Sequence, residues 1–198
     1  MITWTSKSPF AALALLTLSA CEGGQGFSLG GSTGAAEEPL RQTILADGAV
    51  QVVPPQGYCI DRKSLKSRFA LMARCDALGL PDVVTAAPLG ILTLALIETE
   101  PDAPLPTPQQ VAKAAGLTQV QETGSPDGAT IFVAQGPVPA EGMSGRHWRG
   151  TARIGGHIAS VTLYGAPQSR AVSEEGRELV ADLIQQSRTK SEGLGAGS

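Results

Sequence analysis

The chain has 198 residues, of which 42% are hydrophobic, 17% charged and 4% aromatic, with 24 Gly and 14 Pro. This composition excludes a collagen-like chain, and it is too apolar, at a net charge of −3, for full disorder. A mildly acidic protein also lacks the broad basic surface of a nucleic-acid binder, so no nucleic-acid partner is expected.

The first 20 residues predict a signal peptide. Residues 1–8 are polar with one positive charge, on Lys7, and residues 9–18 form an apolar run. As a helix this run spans about 15 Å, half of the roughly 30 Å hydrocarbon core of a bilayer, so it is too short for a membrane span. Its length is typical of a secretory signal.

The tetrapeptide Leu18-Ser19-Ala20-Cys21 directly follows the apolar run. It resembles the lipobox of bacterial lipoproteins, with small residues before a cysteine. The resemblance implies that Cys21 receives a diacylglyceryl thioether, becomes the mature N-terminus and is N-acylated, so that its acyl chains anchor the protein in the membrane. The expected location is the cell envelope, facing the periplasm, on the inner or outer membrane. The alternative is an ordinary secretory leader followed by a chance cysteine.

Residues 21–42 are rich in Gly and Ser, which predicts a flexible tether, because such a segment gains too little from burial to offset its backbone entropy. Residues 30–34 match the Gly-x-Ser-x-Gly nucleophile pattern. That chemistry requires a strand and a helix on either side of the serine, and neither is predicted here. No catalytic residue is therefore expected in this segment.

Export would place Cys59 and Cys75 in an oxidising compartment, where two remaining cysteines normally form a disulfide with each other. The chain-entropy model gives about 3 kcal/mol for a disulfide that closes a loop of this length. A metal site would have to use Asp61 and Asp76, an unusual ligand set for zinc, and a redox pair is more often Cys-x-x-Cys. The sequence favours a structural disulfide, with free thiols, a metal site or a redox pair as alternatives.

One α+β domain is predicted over residues 43–189. Residues 49–53 and 69–73 are predicted strands, with a short helical turn around residues 62–67 between them. Residues 91–97 are apolar on both alternating faces, which predicts a central strand covered on both sides.

A helix start follows at Thr107. Thr107 is expected to cap the helix, Pro108 suits its first position, and Gln110 completes a capping box. Gly116 is expected to end the helix, and residues 117–134 then predict a hairpin.

A second hairpin, over residues 146–165, is the clearest local prediction because Gly155-Gly156 favours a tight two-residue turn. That turn pairs Ile154 with His157, Ala152 with Ala159, Gly150 with Val161 and Trp148 with Leu163 on one largely apolar face. The opposite face pairs Arg153 with Ile158, Thr151 with Ser160, Arg149 with Thr162 and His147 with Tyr164. A shift of the pairing by one residue would mix the apolar and polar side chains on both faces, so the pattern supports this register.

Ser173 is predicted to cap a last helix that runs to about Ser187, with an apolar stripe around Val180 and Ile184. Residues 190–198 predict a second flexible tail. The expected fold class is α+β, with a mostly antiparallel sheet and flanking helices.

The lipobox, the Gly-Tyr-Cys-Ile-Asp sequence at residues 57–61, the second cysteine and the hairpin that contains Trp148 together resemble a group of small, uncharacterised bacterial lipoproteins. The order of elements over residues 43–188 also resembles the Mog1/PsbP-like fold, an antiparallel sheet flanked by helices. The resemblance implies a binding or assembly role, because PsbP-like proteins are typically non-catalytic accessory subunits. No functional residue of that family maps onto a position of this chain.

Few residues suggest chemistry. His147 and His157 are predicted on opposite faces of the hairpin and over about 20 Å apart, too far to share a metal, so neither a metal nor another cofactor is expected. Asp61 is expected to cap a turn or a helix, and Asp82 is a lone carboxylate. The sequence has no P-loop, no Gly-x-Gly-x-x-Gly after a strand and no His-Glu-x-x-His.

The polar side of the second hairpin is the candidate binding face. A cluster of arginines in an acidic protein suits carboxylates or phosphates, which arginine binds with two parallel hydrogen bonds. The alternative is the solvated side of an ordinary antiparallel sheet. The residues assigned to this polar hairpin face are Arg146, Arg149, Thr151, Arg153, Ser160 and Thr162.

Three functions compete. The first is a lipid-anchored, non-catalytic module that binds or helps to assemble another envelope protein. The second is a carrier of a small molecule or cell-wall ligand, which would need a large apolar cavity. The third is a hydrolase without a recognisable motif, which would need Asp, His and Ser side chains converging in a cleft.

Overall fold

The computed structural model describes residues 38–80, 85–100, 102–124 and 126–195. Cys21, the Gly-x-Ser-x-Gly segment and Asp82 lie outside these described residues. The predictions made for them stay predictions.

Over these described residues, nine strands form two antiparallel sheets and α-helices accompany them, which confirms the predicted α+β class. Seven strands are ordered β3-β4-β5-β9-β8-β7-β6, and β1 pairs with β2 in a separate sheet. The strands are β1 Thr43–Leu45, β2 Val50–Val52, β3 Tyr58–Ile60, β4 Phe69–Arg74, β5 Ile91–Ile97, β6 Thr118–Glu122, β7 Thr130–Gln135, β8 Arg146–Ile154 and β9 His157–Tyr164.

The described part of the chain contains two α-helices, α1 at Pro108–Ala115 and α2 at Glu174–Gly195. The predicted capping box is present at α1, where the Thr107 hydroxyl accepts from the Gln110 amide and the Gln110 side chain accepts from the Thr107 amide. Gly116 ends the helix in the left-handed conformation, at φ 63°, as its position predicted.

The register of the second hairpin is the one that the sequence predicted. Ile154 pairs with His157, Ala152 with Ala159 and Trp148 with Leu163. A two-residue turn in which Gly155 and Gly156 have positive φ closes the hairpin.

The core lies between the seven-stranded sheet, α2 and β2. We call this side of the sheet the α2 face; Gly150 and Trp148 of β8 point to it, and the Trp148 indole donates to the Ser173 carbonyl at the start of α2. The buried side chains of this core include Val50, Val52, Met72, Leu92, Leu94, Ala152, Ile154, Ala159, Val161, Leu163, Val180, Leu183 and Ile184.

The other side, which we call the second face, consists of the alternate residues of the same strands, such as Thr93 and Ala95 of β5 and Arg149 of β8. Helix α1 covers only its β6–β7 end, where Ala112 packs on Phe132. The expectation that β5 is covered on both sides is therefore wrong on this face. Ile97 is 51% exposed, and Ile91, Thr93 and Ala95 are half-buried.

Helix α2 extends to Gly195, past the end predicted at Ser187, and occupies most of the predicted tail. Two serines hold this end of the helix to β2 and the residue that follows it: Ser191 accepts from the Gln51 amide and Ser187 accepts from the Val53 amide. Ser173 precedes the helix, but its hydroxyl donates to the Arg170 carbonyl rather than accepting from the first turn.

The predicted disulfide between Cys59 and Cys75 is confirmed, with a Cα–Cα distance of 4.9 Å. It joins the end strand β3 to the residue that follows β4, and both cysteines are buried. The predicted helical turn is shorter than expected and covers Arg62–Ser64.

Candidate binding site

The alternation of β8 and β9 places five of the six predicted binding residues on the second face. Arg149 lies opposite Thr162, and Thr151 lies opposite Ser160. Arg146 is the exception, because its odd spacing from Arg149 turns it to the other side of the strand. The polar hairpin face therefore lacks Arg146.

This face is less solvated than the sequence suggested. Thr151 is 2% exposed and Thr162 is 6% exposed. The segment after β5 packs over this end of the sheet, since the Arg153 guanidinium donates to the Ala103 carbonyl. The sequence could not show this cover, which depends on how a loop folds back from a distant strand.

Arg149 belongs to a chain of hydrogen bonds with His147 and Tyr164. The His147 Nδ1 atom lies 2.8 Å from the Gly145 carbonyl, so Nδ1 carries the hydrogen and Nε2 accepts from Arg149 Nε at 3.1 Å. Arg149 Nη2 donates to the Tyr164 hydroxyl at 3.4 Å, and the rings of His147 and Tyr164 lie 4.7 Å apart. The two side chains that flank this arginine are thus both neutral.

Burial is the largest cause of the pKa shifts of His147 and Arg149. It lowers the pKa of His147, and the Arg149 charge lowers it further against the opposing effect of the Gly145 carbonyl. Burial also lowers the pKa of the Arg149 guanidinium, which the Tyr164 hydroxyl raises. His147 is therefore neutral and Arg149 keeps its charge, since arginine does not deprotonate in proteins.

Arg149 makes no salt bridge with any carboxylate of the described residues. The sequences of β4, β5, β7, β8 and β9 contain no Asp or Glu. A half-buried guanidinium with only neutral partners pays a desolvation cost that an anion would offset.

Two further polar atoms of the polar hairpin face are buried and unpaired. The Thr151 Oγ1 and Arg153 Nη1 atoms have no hydrogen-bond partner within the described part of the chain. Buried polar atoms are normally paired, so these atoms mark an unsatisfied polar region beside Arg149.

The other candidates from the sequence have local roles. Asp61 caps the turn at Arg62–Ser64 by accepting from the Lys63 amide, as predicted. His157 is half-buried beside the hairpin turn, and its Nδ1 atom lies 3.0 Å from the Gly155 carbonyl.

A cleft that the sequence did not predict lies beside the first half of α2. Its volume is about 510 Å³. Arg170 joins two of its walls, because its guanidinium pairs with Glu175 and donates to the Ala86 carbonyl at 2.9 Å. The lining residues are Arg41, Gln56, Gly57, Thr85, Ala86, Ala87, Pro88, Arg170, Glu175, Glu178, Leu179 and Asp182.

The acidic residues of this cleft follow one side of α2. Burial raises the pKa of Asp182, and the nearby Glu178 carboxylate raises it further. Within the described ranges no three His, Cys, Asp or Glu side chains are placed to hold a metal ion. In the same ranges, no helix combines the length and the apolar character that a membrane span needs.

No protein-family model matches the chain, and neither does any curated protein. Among solved structures, the chain is similar to a point mutant of the Mog1 protein, with a TM-score of 0.43 and 12% sequence identity. The match covers 76% of this chain and 93% of the Mog1 chain. This likeness concerns the fold alone.

Proposed function

We propose that the chain is a lipid-anchored lipoprotein of the cell envelope, and that its folded part is a non-catalytic module that binds another envelope protein. Cys21 would carry the acyl chains, and the Gly- and Ser-rich tether predicted to follow it, up to residue 42, would link them to the domain. The lipobox-like sequence before Cys21 supports the anchor, and the disulfide between Cys59 and Cys75 is in keeping with an oxidising compartment.

The charge state of Arg149 supports binding through the second face. Its guanidinium is half-buried between neutral partners and forms no ion pair with the described carboxylates. A partner that brings a carboxylate to this position would satisfy both the charge and the free donors of the guanidinium.

The hydrogen bonds of His147 argue against a hydrolase at this site. Its Nδ1 atom donates to a backbone carbonyl and its Nε2 atom accepts from Arg149, so neither nitrogen is free to take a proton from a nucleophile.

A carrier of a small ligand is the second candidate function. The cleft beside α2 has a volume within the range of small-molecule sites, about 300–1,000 Å³. It lies beside the helix rather than under the sheet, and charged side chains of both signs line it, including Arg41 and Asp182. A ligand there would be polar rather than a long apolar chain.

The anchor is tested by replacing Cys21. We expect Cys21→Ser to leave the protein unprocessed or soluble, and mass spectrometry of the native N-terminus to show a diacylglyceryl group. Normal processing and full membrane partitioning of the variant would contradict the lipoprotein assignment.

The binding face is tested by photo-crosslinking in living cells. Ile97 on β5 and Ile44 on β1 are isoleucines of similar exposure, 51% and 53%, and Ile97 belongs to the second face. A photoreactive residue at position 97 should give a discrete adduct with one partner, whereas the same residue at position 44 should not. Equal labelling from both positions, or none from position 97, would refute binding through this face.

A further inference from the structure

We propose that the second face of β4, β5 and β9, together with Arg149, docks an amphipathic acidic helix of the partner protein. This inference rests on the proposed binding function and names the chemistry of the partner. It is carried by a row of side chains that the strand registers place together: Arg149, Thr162, Thr93 and Leu71, one on each of β8, β9, β5 and β4.

The size of this row fits one helix. Neighbouring strands lie about 4.8 Å apart, so about 14 Å separates Arg149 from Leu71 across three strand spacings. A helix with its side chains has a diameter of about 10–12 Å. One helix laid on β5 and β9 would thus contact the apolar residues on one side and Arg149 on the other.

Around the row, the second face of β4 and β5 is largely apolar and incompletely buried. Leu71 and Phe69 of β4 and Ile91 of β5 are half-buried, and Ile97 is 51% exposed. Their neighbours on the α2 face, such as Leu92, are completely buried. The sheet is therefore apolar on both sides in this region, which is typical of strands that are packed between two layers.

Neither α-helix of the described residues covers the second face over β4 and β5. Helix α2 packs on the α2 face, where it contacts β7, β8 and β9, and α1 contacts β6 and β7. The second face over β4 and β5 has the composition of a helix-binding layer, and a partner helix would complete it.

The charges of this region call for an acidic partner. Arg149 is the cation at the end of the row and has neutral neighbours, and no acidic residue occurs in the strands that form the row. An acidic segment follows β5, where Glu98 is already paired with Arg68 at 2.5 Å and Glu100 and Asp102 come next in the chain. A carboxylate on the docked helix would supply the counter-charge of Arg149.

Other occupants fit these observations less well. A second copy docked face to face would bring one Arg149 towards the other, because a two-fold interface places the same patch on both subunits. A free fatty acid needs a cavity for its tail, and the cleft of about 510 Å³ lies beside α2 rather than on this face. A flat membrane surface attracts exposed lysines and arginines, whereas Arg149 is half-buried and the strands of the row contain no lysine.

The test uses the purified folded protein and a synthetic amphipathic peptide of about 20 residues, since isolated helices of fewer than about 12–15 residues are only marginally stable in water. One peptide has leucines along one side of its helix and glutamates along the edge of that side. A matched peptide has lysine at each glutamate position. We expect the Glu peptide to shift the NMR signals of the Ile91 and Leu71 methyl groups and of the Arg149 side chain, and the Lys peptide to bind much more weakly.

Variants locate the contact. Arg149→Gln should weaken binding of the Glu peptide by roughly 10- to 100-fold, the loss expected for charge-assisted hydrogen bonds, and Ile91→Thr should weaken it as well. The matched controls are Arg177→Gln, which removes an arginine paired with Glu174 on α2, and Ile44→Thr on β1. Both controls should bind like the unchanged protein, and thermal melting should show that all four variants fold.

The proposal is overturned if the Lys peptide binds as tightly as the Glu peptide, or if Arg149→Gln has no effect. It is also overturned if vesicles of anionic phosphatidylglycerol, or a second copy detected by sedimentation, occupy the face in place of the peptide. A specific crosslink from position 97 without a preference for the Glu peptide would refute the acidic helix alone. The loss of that crosslink would refute the binding function itself.

Discussion

Gly150 lies directly under Val180: a Cβ atom built on Gly150 would stand 2.7 Å from the Val180 Cγ1 atom and 2.9 Å from the Ile184 Cδ1 atom. Helix α2 therefore packs directly on the backbone of β8, the strand next to the central strand β9. The same strand carries Arg149 on its other side, so the position of α2 and the position of the candidate site depend on one segment of chain.

The change Gly150→Ala is expected to destabilise the fold by about 1–3 kcal/mol, because the new methyl group would overpack the contact between α2 and β8. The measurement is urea unfolding followed by circular dichroism. Gly193→Ala is the control, since a Cβ atom there meets nothing within 4 Å and alanine favours a helix. Equal stability of the Gly150→Ala variant and the unchanged protein would show that α2 can shift at no cost.

A second prediction concerns the pH dependence of stability and His147. Burial holds the pKa of this imidazole below its ordinary value of 6.5 in the folded protein. The unfolded chain therefore takes up a proton at a higher pH than the folded one, so the contribution of His147 is complete above pH 6.5 and is lost as the pH falls below it.

The measurement is the free energy of unfolding at a series of pH values below 7. His147→Gln retains hydrogen-bonding capacity without a titratable group, so the loss of stability on acidification should become smaller. His157→Gln, the change at the other histidine, should keep the dependence of the unchanged protein. If both variants respond to pH like the unchanged protein, His147 is not the group responsible.

The hairpin of β8 and β9 could be predicted from the sequence because its determinants are local. The pair Gly155-Gly156 favours a tight two-residue turn, and that turn fixes every cross-strand pair up to Trp148. The start of α1 was equally local, since Thr107 and Gln110 are three residues apart. By contrast, the strands β1 and β3 have three residues each, too few for any alternation to be recognised.

Features that depend on distant contacts could not be predicted. The last turns of α2 are held by bonds from Ser187 and Ser191 to β2, more than 130 residues earlier in the chain. The burial of Thr151 depends in the same way on the segment around Ala103. The sequence did place Arg149 two residues from His147 on one side of a strand, and that spacing was a signal for their hydrogen bond.

A third prediction concerns the disulfide between Cys59 and Cys75. Its removal should lower the free energy of unfolding by about 3 kcal/mol, because the crosslink closes a loop of 16 residues in the unfolded chain. The double change Cys59→Ala, Cys75→Ala is compared with the unchanged protein in denaturant titrations with and without a reducing agent. The reducing agent should destabilise the unchanged protein and leave the double variant unaffected. A double variant as stable as the oxidised protein would mean that the crosslink adds nothing.

The last prediction concerns Asp182, which lies in the cleft beside α2. Burial and the nearby Glu178 carboxylate raise the pKa of Asp182 above its ordinary value of 3.8. The raised pKa means that its ionised form is less stable in the folded protein than in the unfolded chain. Asp182→Asn should therefore raise the melting temperature at pH 7, and the gain should vanish below pH 3.8, where Asp182 is protonated in both states. Glu122→Gln on β6 is the control for the loss of one negative charge, since Glu122 is exposed and lies on an end strand of the sheet. If Asp182→Asn melts below the unchanged protein at pH 7, the carboxylate instead makes a favourable contact in the cleft, and the cleft would then merit a search for the cation that it binds.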